Sequence, residues 1–334
     1  MSSASATVAT RASEVPLFAR QCLEANPLTA NLILPTLYKC LHMEREGRPL
    51  QDQLWIVIHI EHQVIFIVSC TTGYMEHTQY SSSLPVPYAS LHPPPSHPLC
   101  KWSLSNYAKR LPSARILNIC SPRLVSITFA QLWTQLTGVI AERDPYYHAK
   151  ISYLTRETFI NKNMPPLPGA LCDLRPGVLL TLPALRSCAT DSRLIAYPPF
   201  TLSKEQARRE AQILVESGSV WVYSVTYQGQ RPMIASIVAT TRNTQTTATV
   251  TKVFTHPNFR GQGCAEVLVR KVCKELLNAG KQYIVLYVGL ANRAANVYKK
   301  VGFVGIGDGA SSYPGVDPWL ELGFDQSFVQ MGHW

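Results

Sequence analysis

Hydrophobic and polar residues follow two different periods in the second half of this chain. The run "SKEQARREAQILVESG" has helical spacing, with Ser203 and Gln206 placed as a capping box and Gly218 at the end. Three β-rich runs follow, "VWVYSVTY", "IASIVATT" and "TATVTKVFTH", and short polar turns join them. Consecutive strands with short connections predict an antiparallel meander.

The period then changes to that of a helix. Apolar residues recur at helical spacing from Ala265 until Gly280 closes the segment. The polar face is predicted to carry Glu266, Arg270, Lys271, Lys274 and Asn278. A strand "YIVLYVG", a second helix and a last strand come next. This order predicts an α/β fold with a mixed sheet (α+β mixed).

In the first half fewer capping and turn residues mark the ends of the predicted elements, but helices and strands are again mixed. A helix is predicted over residues 28–43, interrupted by Pro35. The runs "LWIVIHI" and "VIFIVSC", separated by Glu61-His62-Gln63, predict a hairpin. "RILNIC" then predicts a strand, and "LVSITFAQLWTQLTG" predicts a helix that ends at Gly138.

Proline-rich stretches suggest the domain organisation. Residues 81–98 are rich in Ser and Pro, which predicts an exposed loop. The segment "NKNMPPLPG" at 161–169 is interpreted as a linker, because its prolines exclude a helix interior or a central strand. The predicted parts are a disordered tail at 1–14, an α/β domain at 15–165 and a second domain at 170–334.

Composition narrows the class of protein. Of the 334 residues 46% are hydrophobic and 16% are charged, which predicts a globular chain with a substantial core. The 31 Lys and Arg residues against 21 Asp and Glu residues give a net charge of +10. No basic block stands out, so we expect no nucleic-acid partner and only a diffuse attraction for anionic ligands.

The cysteines and the apolar runs bear on location. Nine cysteines, an odd number without a C-x-x-C pair, favour reduced thiols over a zinc site or a disulfide framework, so no metal is expected. The N-terminal residues lack the apolar core of a signal peptide, and no uncharged apolar run reaches a membrane-spanning length. We therefore expect a cytoplasmic protein without a membrane partner, whereas its oligomeric state is not predicted.

The turn Arg260-Gly261-Gln262-Gly263-Cys264 stands at the start of a helix. The first N–H groups of a helix have no internal partner, and glycines let a phosphate approach the backbone closely. Arg260 adds a planar cation that suits phosphate oxygens. Neither G-x-G-x-x-G nor a terminal Gly-Lys-Ser/Thr is present. On these residues alone, a plain tight turn is the alternative.

Two longer signatures favour the anion site. "TKVFTHPNFRGQGCAEVLV" resembles the acyl-CoA signature of the GNAT superfamily of N-acyltransferases, Gln/Arg-x-x-Gly-x-Gly/Ala, at Arg260, Gly263 and Ala265. "YIVLYVGLANRAANVYKKVGF" resembles the next family feature. Its matching residues are Asn292, Ala294, Ala295, Tyr298, Gly302 and Phe303. The resemblance covers roughly residues 172–334.

The resemblance implies acetyl-CoA as co-substrate, held in a V-shaped gap between the fourth and fifth strands of the fold. It implies that main-chain groups of Val253, Phe254 and Thr255 pair with the pantetheine amides. The predicted pyrophosphate site is Arg260 with Gly261, Gln262, Gly263, Cys264 and Ala265. Asn292 is predicted to orient the pantetheine arm or the segment around it, and Ala295 and Tyr298 are predicted to bind the cofactor as well.

The resemblance also implies the chemistry. An amine attacks the thioester in a ternary complex, the Val253 N–H stabilises the oxyanion, and Tyr298 protonates the leaving thiolate. The general base is left open between Glu321, His256 and a water chain, and direct attack by a neutral amine needs none. Cys264 could be activated by the helix N-terminus, but bound pyrophosphate would cover it.

The expected function is acetyl transfer from acetyl-CoA to a primary amine of a small molecule. Acetylation of protein lysines or N-termini is the nearest alternative, and a longer acyl donor is also open. A non-catalytic acyl-CoA sensor or scaffold is a rival of a different class. The first half is interpreted as a degenerate copy of the same fold without the glycine turn, with a separate wall of the acceptor pocket as the alternative.

Overall fold

The computed structural model describes residues 4–72, 78–83, 113–177 and 203–329. The chain divides into two compact units, residues 1–151 with 317–334 and residues 152–316. Most of the predicted loop at 81–98 lies outside the described residues. Among the helices that are described, none combines the length and the apolar character that a bilayer crossing requires.

The described residues of the first unit form two groups of paired strands and three α-helices. Its helices are α1 (Leu17–Ala25), α2 (Ile33–Arg45) and α3 (Arg123–Thr137). Its strands are β1 (Ala4–Ala9), β2 (Leu54–Ile60), β3 (Gln63–Thr72), β4 (Thr78–Ser83), β5 (Asn118–Pro122), β6 (Tyr147–Leu154, its last residues in the second unit) and β12 (Pro318–Gly323). Strands β1 to β4 pair antiparallel in chain order, and β12 lies between β5 and β6.

Several predictions for the first unit are confirmed. Strands β2 and β3 form the hairpin, with Glu61 in a left-handed conformation at φ 53° in its turn. The helix predicted over residues 28–43 is found as α2, but it begins only at Ile33 and Pro35 does not interrupt it, because this proline lies in the first turn, where its missing N–H has no intrahelical acceptor to lose. Gly138, at φ 77°, ends α3 with its N–H donating to the Thr134 carbonyl at 2.9 Å. Helix α1 and strand β6 were not predicted.

The prediction of a disordered tail over residues 1–14 is wrong from residue 4 onward. Strand β1 pairs with β2, Ala4 opposite Ile60 and Ala9 opposite Trp55. The N–H groups of Ala12 and Ser13 donate to the Glu44 carboxylate at 2.7 and 3.1 Å. Small Ala, Ser and Thr residues give a weak hydrophobic pattern, yet main-chain pairing with a neighbouring strand still orders them.

The compact units do not coincide with the predicted ranges 15–165 and 170–334. Strand β12, from the end of the chain, pairs with β5 and β6 of the first unit. Phe324 follows it and packs edge-on against Phe129 and Trp133, at centroid distances of 6.4 and 6.5 Å. The prolines at 161–169 lie in a segment between β6 and β7 that has no helix or strand. They do not determine which unit the last strand joins.

The second unit forms the predicted meander followed by a parallel crossover. Its strands are β7 (Ala170–Pro176), β8 (Val220–Tyr227), β9 (Met233–Thr241), β10 (Thr247–Thr255) and β11 (Tyr283–Gly289). Its helices are α4 (Lys204–Glu216), α5 (Cys264–Asn278) and α6 (Ala294–Val301). Strands β7 to β10 pair antiparallel in order, and β10 pairs parallel with β11. The mixed α/β fold is confirmed.

Helix α4 begins at the predicted capping box, in which the Ser203 hydroxyl accepts from the Gln206 N–H at 3.2 Å. Helix α5 packs its apolar side against β8, β9, β10 and β11 through Leu268, Val269 and Val272.

The predicted polar face of α5 is wrong at Glu266 and Arg270, which are buried. Their side chains pair at 2.7 Å, and Arg270 also donates to the Lys300 carbonyl at 2.8 Å and to the Ile160 carbonyl. Arg270 therefore links α5 to the end of α6 and to the segment after β6. Helical phase alone could not show that a buried position would be occupied by an ion pair.

Gly302 closes α6 at φ 120°. A Cβ at this position would lie 2.1 Å from the Thr158 carbonyl oxygen and 3.0 Å from the Phe159 Cα. The backbone of the segment after β6 therefore requires glycine here, and this explains the glycine of the Gly-Phe pair in the second signature.

Gly302→Ala should lower the free energy of unfolding by roughly 2 to 5 kcal/mol, the sum of overpacking and left-handed strain. Gly280→Ala is the matched control, because Gly280 has φ 89° with nothing within 4 Å of a Cβ; it should cost about 1 to 2 kcal/mol. Urea unfolding followed by circular dichroism checks both. Equal losses in the two variants would contradict the close approach of Thr158.

Candidate functional site

A gap opens between β10 and β11. Their parallel ladder runs from Thr247, opposite Tyr283, to Val250, opposite Leu286. Both strands continue, β10 to Thr255 and β11 to Gly289, but no further residue pair joins these described strands. On its other side β10 stays paired with β9 as far as Thr255.

A β-bulge marks the point where the strands separate. Val250 pairs with Thr240 and Lys252 with Ala239, so Thr251 is an extra residue on β10. The Thr251 hydroxyl donates to the Ala239 carbonyl at 3.4 Å and accepts from the Thr241 hydroxyl at 3.2 Å. Because a bulge bends its strand and increases the local twist, it accounts for the loss of pairing with β11.

The alternation of main-chain directions shows which groups face the gap. The His256 N–H donates to the Ala235 carbonyl at 2.9 Å, on the β9 side. In an antiparallel pair successive residues point their main-chain groups to opposite sides, so Phe254 also faces β9. Of the three residues predicted to line the gap with main-chain groups, Val253 and Thr255 do so, and Phe254 does not.

The glycine turn lies where β10 leads into α5. Gly261 and Gly263 have φ angles of 75° and 80°, which L-residues with side chains rarely adopt. Gly263 is the N-cap of α5 and supplies no side-chain cap. The first helical N–H donor is that of Val267, bonded to the Gly263 carbonyl at 3.0 Å. The preceding N–H groups of Cys264, Ala265 and Glu266 thus have no intrahelical acceptor.

Side chains brace this turn from the strand side. The Arg260 Nε donates to the Thr255 carbonyl at 3.2 Å, and its guanidinium lies 5.9 Å from the centre of the Phe254 ring. The Gln262 side chain donates to the Asn258 carbonyl at 2.9 Å. A cation is therefore held beside N–H groups that carry the positive end of a helix dipole, an arrangement that suits a phosphate.

The second signature forms the start of α6. The Asn292 side chain accepts from the N–H of Ala294, the first residue of α6, at 2.9 Å, whereas the N-cap residue itself is Arg293. Ala295 packs against the core of the second unit. Tyr298 is 9% exposed and its ring meets Phe303 edge-on at 5.9 Å. Val253 and Tyr298 contribute to the same apolar cluster.

The candidate bases have local structural partners. Glu321 is buried in β12 of the first unit, where its carboxylate accepts from the Asn118 amide at 2.6 Å. The His256 Nδ1 accepts from the Asn258 N–H at 3.3 Å and caps the 3₁₀ turn that follows β10. Among the described residues no group of His, Cys, Asp and Glu side chains is arranged to hold a metal ion.

Sequence reasoning missed two features at this site. The bulge at Thr251 has no glycine or other marker in "TATVTKVFT". Met164, from the predicted linker, has its Cε 3.8 Å from where a Gly263 Cβ would lie. Both depend on contacts between distant parts of the chain, which no local pattern encodes.

Comparison with known proteins identifies a family whose profile part of the chain matches. Residues 186–303 match the profile of the acetyltransferase (GNAT) family. An uncharacterized N-acetyltransferase of Gracilaria tenuistipitata var. liui is 26% identical over 101 residues, which is 30% of this chain. The match spans 54% of the length of that relative.

Three solved structures share the fold over nearly the whole chain. A GCN5-related N-acetyltransferase from Sphaerobacter thermophilus has a TM-score of 0.51 at 14% identity, covering 96% of this chain and 94% of its own. A tandem GNAT protein from the clavulanic acid biosynthesis pathway has 0.54 at 11%, covering 96% and 98%. A Drosophila protein has 0.60 at 13%, covering 90% and 95%. At such identities the likeness concerns fold alone.

Cys264 should be a poor nucleophile despite its place at a helix N-terminus. Burial, with the nearby Cys172 thiol, raises the pKa of Cys264, so the unreactive thiol form persists at neutral pH. We expect iodoacetamide to alkylate Cys264 more slowly in the native protein than in urea, because burial both raises the pKa of the thiol and shields the sulfur from the reagent. Peptide mass mapping measures both rates, and rapid native labelling would contradict this.

Proposed function

We propose that the protein is an acyl-CoA-dependent N-acetyltransferase of the GNAT family, whose profile residues 186–303 match. Acetyl-CoA is the co-substrate of the family. The observation that carries the proposal is the gap between β10 and β11, which leads from the bulge at Thr251 to the glycine turn at Gly263.

The groups along this gap fit the parts of acetyl-CoA. Pantetheine contains amides, which pair with the outward main-chain groups of Val253 and Thr255 as an added strand would. The pyrophosphate fits the N–H groups of Cys264 and Ala265, with Arg260 beside them. Asn292 contributes by accepting from the first N–H of α6 and so fixing the chain that precedes Tyr298.

Two residues carry the chemical step in this proposal. As the amine nitrogen attacks the thioester carbonyl carbon, negative charge grows on the carbonyl oxygen, and the Val253 N–H is positioned on the gap side to stabilise it. The carbon–sulfur bond then breaks and sulfur leaves with the electron pair. The Tyr298 hydroxyl supplies the proton, since a phenol is protonated at neutral pH.

Removal of the amine proton is not assigned to a side chain here. Glu321 and His256 each have a structural partner, so the proposal does not depend on either as a base. A water chain, or direct attack by an amine that is already neutral, serves equally. The assignment of Glu321 as a catalytic residue stays a prediction.

The proposed acceptor is a primary amine of a small molecule. Acetylation of protein lysines or N-termini and non-catalytic acyl-CoA binding are the competing outcomes of the tests below. The proposal extends to the first unit as a second, degenerate copy of the fold; the similarity of a tandem GNAT protein over 96% of the chain supports it. The cytoplasmic location stays a prediction.

Gly263→Val should abolish stabilisation by acetyl-CoA. A β-branched side chain at φ 80° forces the turn to change and withdraws the N–H groups from the phosphate. A thermal-shift titration with acetyl-CoA measures the effect. A ligand present at 100 times its Kd stabilises a protein by about 2.7 kcal/mol, which is easily detected.

Gly280→Val is the control for this variant. Gly280 has a similar φ of 89° at the other end of α5, so it carries comparable backbone strain away from the turn. It should melt at a lower temperature but keep the full acetyl-CoA shift. A full shift in Gly263→Val would show that the glycine turn does not hold the pyrophosphate.

Tyr298→Phe should lower kcat by roughly 100-fold or more, the usual contribution of a general acid. The acetyl-CoA thermal shift should be unchanged, because the ring and its contact with Phe303 remain. Tyr283→Phe, at the start of β11, is the control for losing a hydroxyl. CoA release with an amine panel measures kcat, and an unchanged rate in Tyr298→Phe would remove the acid role.

A further inference from the structure

The chain between β6 and β7 lies along helix α5. The Arg156 guanidinium donates to the Leu277 carbonyl at 2.7 Å, in the last turn of the helix. The Ile160 carbonyl accepts from the Arg270 guanidinium, nearer the start of the helix. All four residues belong to the second unit. The chain and the helix therefore run in opposite directions.

A third contact brings this chain to the glycine turn. The Met164 Cε lies 3.8 Å from where a Cβ would stand on Gly263, the N-cap of α5. Each step from one contact to the next covers four residues of the chain and seven of the helix. Seven helical residues rise about 10.5 Å and four extended residues reach at most about 14 Å, so the spacing fits a nearly extended chain. We call residues 156–164 the flanking segment.

Lys162 lies halfway between the second and the third contact. It is exposed, and it forms no hydrogen bond or ion pair with any residue that the structure describes. Two residues of extended chain span at most about 7 Å, and a lysine side chain adds a flexible four-carbon stem. The Lys162 ammonium is therefore within reach of the N-terminal end of α5.

Positive charge collects at this end of the helix without a matching anion. The helix dipole has its positive end here, where acidic residues are normally stabilising. The acidic residue of the first turn, Glu266, is buried and paired with Arg270. Arg260 is held by a carbonyl and an aromatic ring. Neither Arg260 nor Lys162 pairs with a described carboxylate, so both cations are available to an anion from solution.

We propose that the flanking segment forms one wall of the phosphate site and that Lys162 binds a phosphate of acetyl-CoA. This rests on the proposed acetyltransferase function. The segment precedes residues 186–303, which match the family profile, so no family signature assigns it. Acetyl-CoA carries a pyrophosphate and a 3′-phosphate, and Arg260 alone cannot neutralise both. A lysine ammonium binds phosphate as a point charge and needs no fixed geometry.

Met164 supplies the uncharged part of this wall. It is half-buried and stands beside the turn whose N–H groups face the phosphate. An apolar side chain here keeps water from one side of those hydrogen bonds, which strengthens them. Because Met164 lies so close to Gly263, a charge introduced at residue 164 acts directly on bound phosphate.

The first test places charges at residue 164 of the full chain. Isothermal titration calorimetry measures the Kd for acetyl-CoA. Met164→Glu should raise this Kd by about tenfold or more relative to Met164→Gln, because like charges repel at short range. Met164→Lys should bind at least as tightly as Met164→Gln. The glutamine variant is uncharged and similar in length, so it separates charge from loss of the thioether, and melting without ligand checks folding.

The second test removes the cation. Lys162→Met should raise the Kd for acetyl-CoA roughly three- to tenfold at low ionic strength, and the effect should shrink as salt is added. Lys162→Arg should bind like wild type. Lys274→Met, which changes an exposed lysine of α5 away from the turn, is the control.

Acetyl-dephospho-CoA, which lacks only the 3′-phosphate, identifies the group that Lys162 binds. A loss in Lys162→Met that is confined to acetyl-CoA assigns the 3′-phosphate. A loss of equal size with both donors assigns the pyrophosphate.

The inference is overturned if Lys162→Met binds acetyl-CoA as tightly as Lys274→Met does, or if Met164→Glu binds it as tightly as Met164→Gln does. In either case, binding of acetyl-CoA by the wild-type protein leaves the proposed function standing and removes the flanking segment from the site. A wild-type protein that binds no acetyl-CoA would instead contradict the proposed function itself.

Discussion

The interruption of the ladder between β10 and β11 is the constraint on which the rest of the site depends. Four residue pairs, from Thr247 to Val250 on β10, hold the two strands together before the bulge at Thr251 ends the pairing. A strand that loses a neighbour exposes main-chain donors and acceptors, which normally find a partner. The main-chain groups of Val253 and Thr255 that face the gap are therefore available to pair with an extended ligand that has amides of its own.

Contacts outside the gap hold the elements around it in place. Helix α5 is fixed by its apolar side and by the buried pair of Glu266 and Arg270, which also ties it to the end of α6. Gly263 adopts a left-handed conformation as the N-cap of α5, and the N–H groups without an intrahelical acceptor follow directly after it. The apolar cluster fills one face of the sheet, and the pair of Lys252 and Glu210 occupies the other.

Short-range sequence patterns predict much of the secondary structure of the second unit, residues 152–316. The capping box at Ser203, the helical phase from Ala265 and the glycine turn each arise from contacts between near neighbours in the chain, and the structure has all three. The signals fail where distant segments meet. The ordered strand β1, the burial of Arg270 and the place of β12 in the first unit depend on partners far along the chain.

The candidate site also has features that the sequence predicts and features that it does not. The phosphate turn could be predicted, because glycine and arginine carry their chemistry in a short segment. The bulge at Thr251 and the pairing of Lys252 with Glu210 could not be predicted, because both depend on residues far away in the chain.

Hydrogen exchange of the backbone amides, with and without acetyl-CoA, tests the central claim most directly. If the gap holds the ligand, the amides of Val253, Thr255 and those from Gly263 to Glu266 become protected on adding acetyl-CoA. Amides of β9, which are already paired on the other side of β10, change little. Protection confined to other segments, with exchange at Val253 and the glycine turn unchanged, would contradict the account.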